Sequence, residues 1–501
     1  MSGSYNVRVA GIFQRDPDRF VDEGRQLSGS REFRGSVQSA GKFHINPRWV
    51  WGWDLIATTD RVFGRDYGID DAEAKDVPAS VYLTGQTTRN YFDLRAMYFR
   101  VQRENTIDNE GLPSEYEHDD QAEQAVLHPV LDHNYVLDRP VGGGELNVNS
   151  NLTSLSREES DLQTVPVTDY YAGVAGTFTR ASTDVSWQRT FVGVGGQVLT
   201  PFAYVKADLN WVGGDDAAAG LSSNEFIVRA MPAIGAEYRW PFLISSSVGT
   251  QTISPIAQII VRPDETHIGD VPNDDAQSLV FDDTILFARD KFSGYDRQEG
   301  GVRANFGLSY QARFANGMSI DSLIGQSIQV AGRNSFATLV GSDTGLEDDE
   351  SDFVGRLTVD SGYGLATTAR GSFDSRDFDL RRAEISATAA HGRSSITGAF
   401  TFLRQRPDVG IIDDRRELTG AATVGLTRNW AVSGSMIYDV ENTARVEHSI
   451  GLAYDDECFN LSAQYSETRD RYSDVVTDQK LEFRVNLRTI GDSVISQDID
   501  Q

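Results

Sequence analysis

The chain has 501 residues, 39% of them hydrophobic and 24% charged, and its formal net charge is −28. A balance this acidic argues against nucleic acid as a partner, because phosphate backbones are bound by Lys and Arg. No apolar run reaches the roughly 18 residues of a membrane-spanning helix, so a chain that crosses a membrane must do so as a closed β-barrel, which pairs every backbone group.

The opening MSGSYNVRVAG lacks the charged start, apolar centre and cleavage site of a signal peptide. Beyond it the dominant signal is alternation of period two, which marks strands with two chemically different faces. The first such strand begins near Tyr5 and leads into the polar loop 14–31. Strands near Phe33 and Trp49 are joined by the short turn Asn46-Pro47. Trp49 and Trp51 then alternate on one face directly after that turn, with Trp53 deeper, as interfacial aromatics at a periplasmic rim do. The pattern continues with strands near Val81, Tyr91, Val130, Leu146, Arg180, Leu199, Ala230 and Ile253. Pro201, Pro232 and Pro255 fall inside three consecutive strands of this series. Proline cannot donate to a ladder, so each weakens pairing or sits at a strand end or bulge.

The clearest alternation follows at Val302 to Phe314, where Val302, Ala304, Phe306, Leu308, Tyr310, Ala312 and Phe314 oppose Arg303, Asn305, Gly307, Ser309, Gln311 and Arg313. Strands near Ile320, Phe353, Leu365, Ala383, Ile396, Leu418, Trp430, Val446, Phe459 and Leu481 complete a set of about 22. Short turns alternate with long polar loops at 14–31, 59–78, 102–128, 156–178, 212–225, 262–299, 331–352 and 403–416. That is the pattern of an outer-membrane barrel, with short periplasmic turns and long extracellular loops. It places both chain termini on the short-turn side. A soluble propeller would show a repeat of roughly 40–50 residues, which is absent. The fold class is therefore all-β, a large antiparallel transmembrane barrel over 1–488, with 489–501 as a C-terminal periplasmic tail.

Nothing in the chain assembles into a catalytic site. Gly142-Gly143-Gly144 lacks the Lys-Ser/Thr ending of a phosphate loop, and no Gly-x-Ser-x-Gly elbow occurs. The seven histidines are scattered singly. The run Glu347 to Glu350 reads as a solvated loop, with sharing of divalent cations at the cell surface as the functional alternative. The 262–299 connection is different: it holds ten acidic and four basic residues, yet Leu279, Phe281, Ile285, Leu286, Phe287, Phe292 and Tyr295 are too apolar for solvent. It is expected to be ordered and to fold toward the lumen. Cys458 is the one cysteine, beside the short turn Asp455 to Glu457. In an exported protein it implies a partner outside the chain or a free thiol.

The segment NDDAQSLVFDDTILFARDKFSGYDR (273–297), together with FHINPRWVWGWD (43–54), YLTGQTTRNYFDLRAMYF (82–99), RAMPAIGAEYRWPF (229–242), GTQTISPIAQIIVRP (249–263) and GLAYDDECFNLSAQY (451–465), resembles the C-terminal barrel of the LptD family in its alphaproteobacterial form. These are the lipopolysaccharide-assembly, or organic solvent tolerance, proteins. The resemblance implies a barrel of 26 strands, of which about 22 are present here, so that the first four or so, a leader and a periplasmic jelly-roll are expected to be missing. It implies insertion of lipopolysaccharide into the outer leaflet of the cell outer membrane, with no bond made and no cofactor. It also implies partners: lipopolysaccharide, outer-membrane lipids, the plug lipoprotein LptE, and the bridge protein LptA acting through the jelly-roll. Asp275, Phe281, Asp282, Asp283, Phe287, Asp290, Tyr295, Asp296 and Arg297 form the loop motif that carries the likeness, and Cys458 becomes half of a disulfide to the jelly-roll. A diffusion porin or uptake receptor is the competing function.

Overall fold

The computed structural model describes residues 2–22, 25–69, 72, 74, 76–102, 106–107, 117–118, 121–163, 170–214, 224–277, 279–337, 344–405, 413–469, 476–487 and 491–498. Parts of the expected long loops around 103–120, 164–169, 215–223, 338–343 and 406–412 lie outside the described residues, as do 499–501 of the expected tail. Most of the described residues are in strands. The helical segments among the described residues are the single turns Pro17–Phe20 and Phe63–Asp66.

Among the described residues six short strands form three two-stranded ribbons within the connections, and twenty-five join one sheet. Its staves in chain order are β1 (Ser2–Phe13), β2 (Phe33–Asn46), β3 (Trp49–Thr58), β4 (Asp76–Gln86), β5 (Asn90–Val101), β6 (Val126–Val136), β7 (Glu145–Arg157), β8 (Gly176–Gln188), β9 (Val198–Gly214), β10 (Asn224–Arg239), β11 (Gly249–Val261) and β12 (Val302–Phe314). They continue as β13 (Ser319–Ala331), β14 (Phe353–Asp360), β15 (Leu365–Phe373), β16 (Leu380–His391), β17 (Ser394–Leu403), β18 (Arg415–Gly425), β19 (Trp430–Asp439), β20 (Ala444–Asp455), β21 (Phe459–Arg469), β22 (Val476–Leu487) and β23 (Gly491–Asp498). The remaining two strands, Phe191–Val192 and Phe242–Ser246, continue β8 and β10 past an interruption. Each stave pairs antiparallel with the next in the chain, from β1–β2 to β22–β23.

The first twenty-two staves are those the alternation predicts. The twenty-third corrects the expected tail. Residues 491–498 pair with β22, from Leu487↔Gly491 to Lys480↔Asp498. GDSVISQD hides this because its two large apolar residues, Val494 and Ile495, are adjacent in sequence, which breaks the alternation. The extra stave also moves the chain end: β1 starts at the short-turn rim, whereas β23 climbs from that rim, so Asp498 lies on the long-loop side. The expectation of both termini on one rim fails for this reason.

The two faces divide by chemistry. On β9 the exposed residues are Leu199, Val205, Ala207, Leu209 and Trp211, while Lys206, Asp208 and Asn210 between the last four are buried. The same apolar face recurs around the sheet with Leu308, Ile324, Leu357, Ile385, Ile396, Leu418, Ile450 and Phe483 exposed. An exposed apolar belt of this extent suits lipid and not water. Ile385 is central in β16 and faces out, whereas Ser386 faces the lumen. Ile385→Arg is expected to lower folding stability in bilayers by about 2–4 kcal/mol, and Ser386→Arg by much less. Urea titration of both variants in liposomes checks this; equal losses would place the two residues on equivalent faces.

Trp49 and Trp51 lie on the outer face near the short-turn rim. Trp49 packs 5.3 Å from Phe92 and Trp51 stacks 5.3 Å from Phe43, while Trp53 donates from Nε1 to Ser39 Oγ at 3.0 Å. The three prolines share one arrangement. Pro201 pairs with Ala236 but lies opposite the break between Gln188 and Phe191, where its carbonyl accepts from Arg189 N at 3.2 Å. Pro255 pairs with Leu308 and lies opposite the break after Arg239, accepting from Trp240 N at 3.1 Å. Pro232 pairs with Val205, beyond the last β10–β11 pair, Ile234↔Val261. Each is laddered on one side only, as a residue without an N–H requires.

Candidate functional site

Between β11 and β12 the chain leaves the wall for residues 262–301 and forms an insert of turns. Its polar side chains meet the charged residues of the non-lipid face. Arg157 of β7 binds Asp274 at 2.7 Å, and Arg356 of β14 and Arg370 of β15 approach Asp283 at 3.3 and 3.7 Å. All three arginines stand on the wall face opposite the exposed apolar belt, so the insert lies in the lumen.

Three clamps hold it there. In the first, Arg180 of β8 bridges Asp275, at 2.9 Å, and Asp296. Asp296 also accepts from the Asp274 and Asp275 amides at 2.8 and 3.1 Å, and Asp275 from the Tyr295 and Asp296 amides at 3.1 and 3.0 Å. Arg229 of β10 donates to the carbonyls of Asp296 and Tyr295 at 2.8 and 3.1 Å and pairs with Asp208 at 2.7 Å. Lys206 lies 3.4 Å from Asp290 and 5.4 Å from the centre of the Tyr295 ring.

The second clamp is Glu299, 1% exposed, with Arg262 at 2.7 Å, Arg303 of β12 at 2.6 Å and the Lys291 amide at 3.1 Å. The third is apolar. Leu279, Phe281, Leu286, Phe336, Leu346 and Val354 form a buried cluster, with Phe292 4.5 Å from Phe336. Glycines admit it to the wall: a Cβ on Gly325 would stand 2.5 Å from Leu286, and one on Gly307 2.9 Å from Phe287.

Burial and charge act against each other on these carboxyls. Burial would raise Glu299, but Arg262, Lys291 and Arg303 hold it down at about 2. Burial, with the charge of Asp275, pushes Asp296 up to about 6 against the pull of Arg180. Burial also raises Asp283, whose two arginines offset it only in part. Glu299 thus stabilises the insert fully above its unfolded value near ~4.3, and that contribution is lost as pH falls through about 2. Asp296 has the opposite sign: its proton is favoured in the fold, so its contribution is lost as pH rises through about 6. Attachment of the insert is expected to be firmest near about pH 4 and to weaken as pH rises from there to about 6. Hydrogen exchange of 270–300, corrected for intrinsic rates, checks it, and a monotonic rise in protection from pH 4 to 8 would contradict it.

Of the residues the sequence singles out, Asp275, Asp290 and Asp296 bind the wall's cations, and Phe281 and Phe287 pack on the third clamp. Arg297 donates to the Val271 carbonyl at 2.9 Å, within the insert. Asp282 caps its own turn, accepting from the Thr284 amide at 2.8 Å. Glu299, Arg262, Phe336 and the wall cations Arg180, Lys206, Arg229 and Arg303 escape the sequence reading. One signal does point to the wall group: a charged residue in mid-strand on the lumenal side, as at Lys206 and Arg229, needs a partner.

From β16 to β21 the lumenal wall is open and uncharged over its middle. The register from β16 to β21 aligns Thr388, Thr397, Ala421, Ser435, Ser449 and Ser466 in one row. The row beneath it is Ala390, Ser395, Thr423, Ser433, Gly451 and Gln464. Hydroxyls meet across neighbouring staves, as at Thr388–Thr397, 3.1 Å, and Ser435–Ser449, 2.8 Å. Charge returns nearer the long-loop rim with Glu384, Glu417 and Asp439. The lumenal face of β16–β21 is thus free and hydroxyl-lined, and charge resumes beside it on β22 with Lys480, Glu482 and Arg484.

Cys458 is exposed at the short-turn rim, where its amide donates to Asp456 Oδ1 at 2.7 Å. In the acidic run, Asp348 pairs with Arg376 at 2.7 Å and Glu347 accepts from the Gly345 amide at 2.8 Å.

Among solved structures the chain is similar to the FrpB iron transporter from Neisseria meningitidis, at 9% identity and TM-score 0.38 over 84% of this chain and 75% of that one. It is also similar to the ferric enterobactin receptor from Pseudomonas aeruginosa, at 10% identity and TM-score 0.37 over 90% and 73%. Among curated proteins it matches the LPS-assembly protein LptD of Acinetobacter baylyi, 25% identical over 226 residues, which is 42% of this chain. The match spans 26% of that relative's length. The family model described as LPS transport system D matches residues 32–413. An all-β wall with a lipid-facing belt, matched by that model over most of its length, makes this chain an outer-membrane β-barrel that belongs to the LptD family.

Proposed function

We propose that this barrel passes lipopolysaccharide to the outer leaflet, its saccharide moving along the free lumenal wall of β16–β21. The family match over 32–413 carries the reading. The wall's chemistry supports it: hydroxyls exchange hydrogen bonds with sugar at little net cost, and the absence of fixed charge from the two aligned rows leaves nothing to hold an anionic saccharide fast. A plug lipoprotein of LptE type occupies the lumen, and an LptA-type bridge delivers the cargo through a jelly-roll domain. Trp49 and Trp51 anchor the short-turn rim in the interface, and the one-sided ladders at Pro201, Pro232 and Pro255 soften the wall near the insert. No step makes or breaks a bond. The test is to deplete the resident protein in cells and follow newly made lipopolysaccharide. Loss of its arrival at the surface, with other barrels still assembled, is expected; unchanged arrival would refute the reading.

Cys458 we assign to a disulfide with a cysteine outside this chain, since the short-turn rim faces the oxidising periplasm. The cellular protein is expected to resist thiol alkylation at Cys458 under denaturing, non-reducing conditions and to react after reduction. Full labelling before reduction would exclude the bond.

A further inference from the structure

On the lipid-facing side of β7–β11 the apolar belt is interrupted by a groove of about 450 Å³. The register puts Trp187, Ala203 and Ile234 in one row across β8, β9 and β10, and Val185, Val205 and Pro232 in the next. All six line the groove. Ala203 has a single methyl between two large side chains, so the surface dips there. One row nearer the short-turn rim comes the pair Pro201↔Ala236, again without a large side chain. The dip therefore follows β9 toward the rim, where the Arg189 amide donates to the Pro201 carbonyl at 3.2 Å. Two arginines stand at that end. Arg189 Nη1 donates to the Gly142 carbonyl at 2.9 Å, and its guanidinium lies 4.6 Å from the centre of the Phe191 ring. Phe191 pairs with the outward-facing Leu199, which places Arg189 on the lipid side. A Cβ on Gly143 would stand 2.8 Å from this guanidinium, so the glycine run is what lets the arginine lie across the turn. Arg139 is exposed in the same turn. Among the described residues neither arginine has a carboxylate partner, although the chain carries a net charge of −28. Asp138, exposed beside Arg139, pairs with neither, and Glu145 lies 3.8 Å from Arg89.

We propose that the groove and the two arginines form a binding site for one anionic phospholipid of the periplasmic leaflet, an acyl chain lying over Ala203 and the phosphate meeting Arg139 and Arg189. Guanidinium groups bind phosphate through paired, charge-assisted hydrogen bonds, and Arg189 has donors beyond the one given to Gly142. The groove is continuous with the lipid-facing belt, so membrane lipid is what reaches it, and its place at the short-turn rim selects the periplasmic leaflet. Trp187 closes one side at headgroup level, as interfacial tryptophans do, with its Nε1 donating to the Val141 carbonyl at 2.7 Å. A zwitterionic headgroup brings an ammonium group that the arginines repel, which favours an anionic lipid. The inference needs only an outer-membrane barrel and does not rest on the proposed passage of lipopolysaccharide.

The probes are phosphatidylglycerol and phosphatidylethanolamine with the same acyl chains, offered to the purified barrel in equimolar mixed micelles. Native mass spectrometry then identifies the lipid that stays bound. Preferential retention of phosphatidylglycerol is expected. Arg139→Gln combined with Arg189→Gln is expected to weaken that preference about tenfold or more. Ala203→Phe fills the groove and is expected to lower retention of both lipids. The control is Arg393→Gln combined with Arg428→Gln, which removes the same charge from exposed arginines of other short turns and is expected to keep the wild-type preference. Heat-modifiable migration on gels verifies that each variant folds. Equal retention of the two lipids by the wild type, an equal loss of preference in the control pair, or unchanged retention by folded Ala203→Phe would each overturn the site. Displacement of phosphatidylglycerol by an equal amount of lipid A would overturn its assignment to phospholipid.

Discussion

Glu299→Gln is expected to release the insert from the wall. The carboxylate is enclosed by Arg262, Arg303 and Lys291, all of them buried. Removing its charge leaves buried cations uncompensated, and breaking such a pair typically costs about 3–5 kcal/mol. Arg262 sits where β11 ends and Arg303 where β12 begins, so Glu299 ties both ends of the excursion together. Hydrogen exchange over 289–301 is expected to accelerate by roughly two to three orders of magnitude, while β16–β21 keep wild-type protection. Single-channel conductance in planar bilayers is expected to rise, because the freed insert no longer narrows the lumen. Unchanged exchange with unchanged conductance would mean that the clamp is not what seats the insert.

Phe336→Ala is the apolar counterpart. The ring is wholly buried between Phe292 and the Leu279–Leu346 cluster, and Arg303 lies 5.2 Å from its centre. Truncating a buried phenylalanine costs about 3–5 kcal/mol through lost burial and the cavity left behind. Phe336 belongs to the next connection, 332–352, so the cluster joins two lumenal segments that are remote in sequence. The expected result is loss of protection in both 279–292 and 344–352, with the Glu299 end still attached. Loss confined to the neighbourhood of residue 336 would show that the two segments are independent. Because the two clamps share Arg303, the double variant with Glu299→Gln is expected to depart from additivity.

The wall was legible because membrane strands obey a strict period of two, and twenty-two staves follow from it. The last failed because Val494 and Ile495 adjoin, which erases the period over eight residues. The insert was legible as an anomaly: Phe281, Leu286 and Phe292 in a highly charged connection make no sense in solvent. What it binds was not. Arg180, Lys206 and Arg229 stand on three different staves, and only the register brings them to Asp275, Asp290 and Asp296. The free wall was hidden for a related reason. Single Ser and Thr residues are unremarkable in each strand, and the two rows from Thr388 to Ser466 exist only across six of them.

The path of the cargo is open to direct measurement. A photo-crosslinking residue placed at Thr397 or Ser435, on the free wall, is expected to capture lipopolysaccharide in growing cells. The same residue at the neighbouring outward position Ile396 or Met436 is expected to capture bulk membrane lipid, with capture that does not depend on ongoing lipopolysaccharide supply. Capture at Thr397 and Ser435 should fall when supply is halted. Lipopolysaccharide adducts at the outward positions alone, with none at Thr397 or Ser435 during active supply, would contradict a route along this wall.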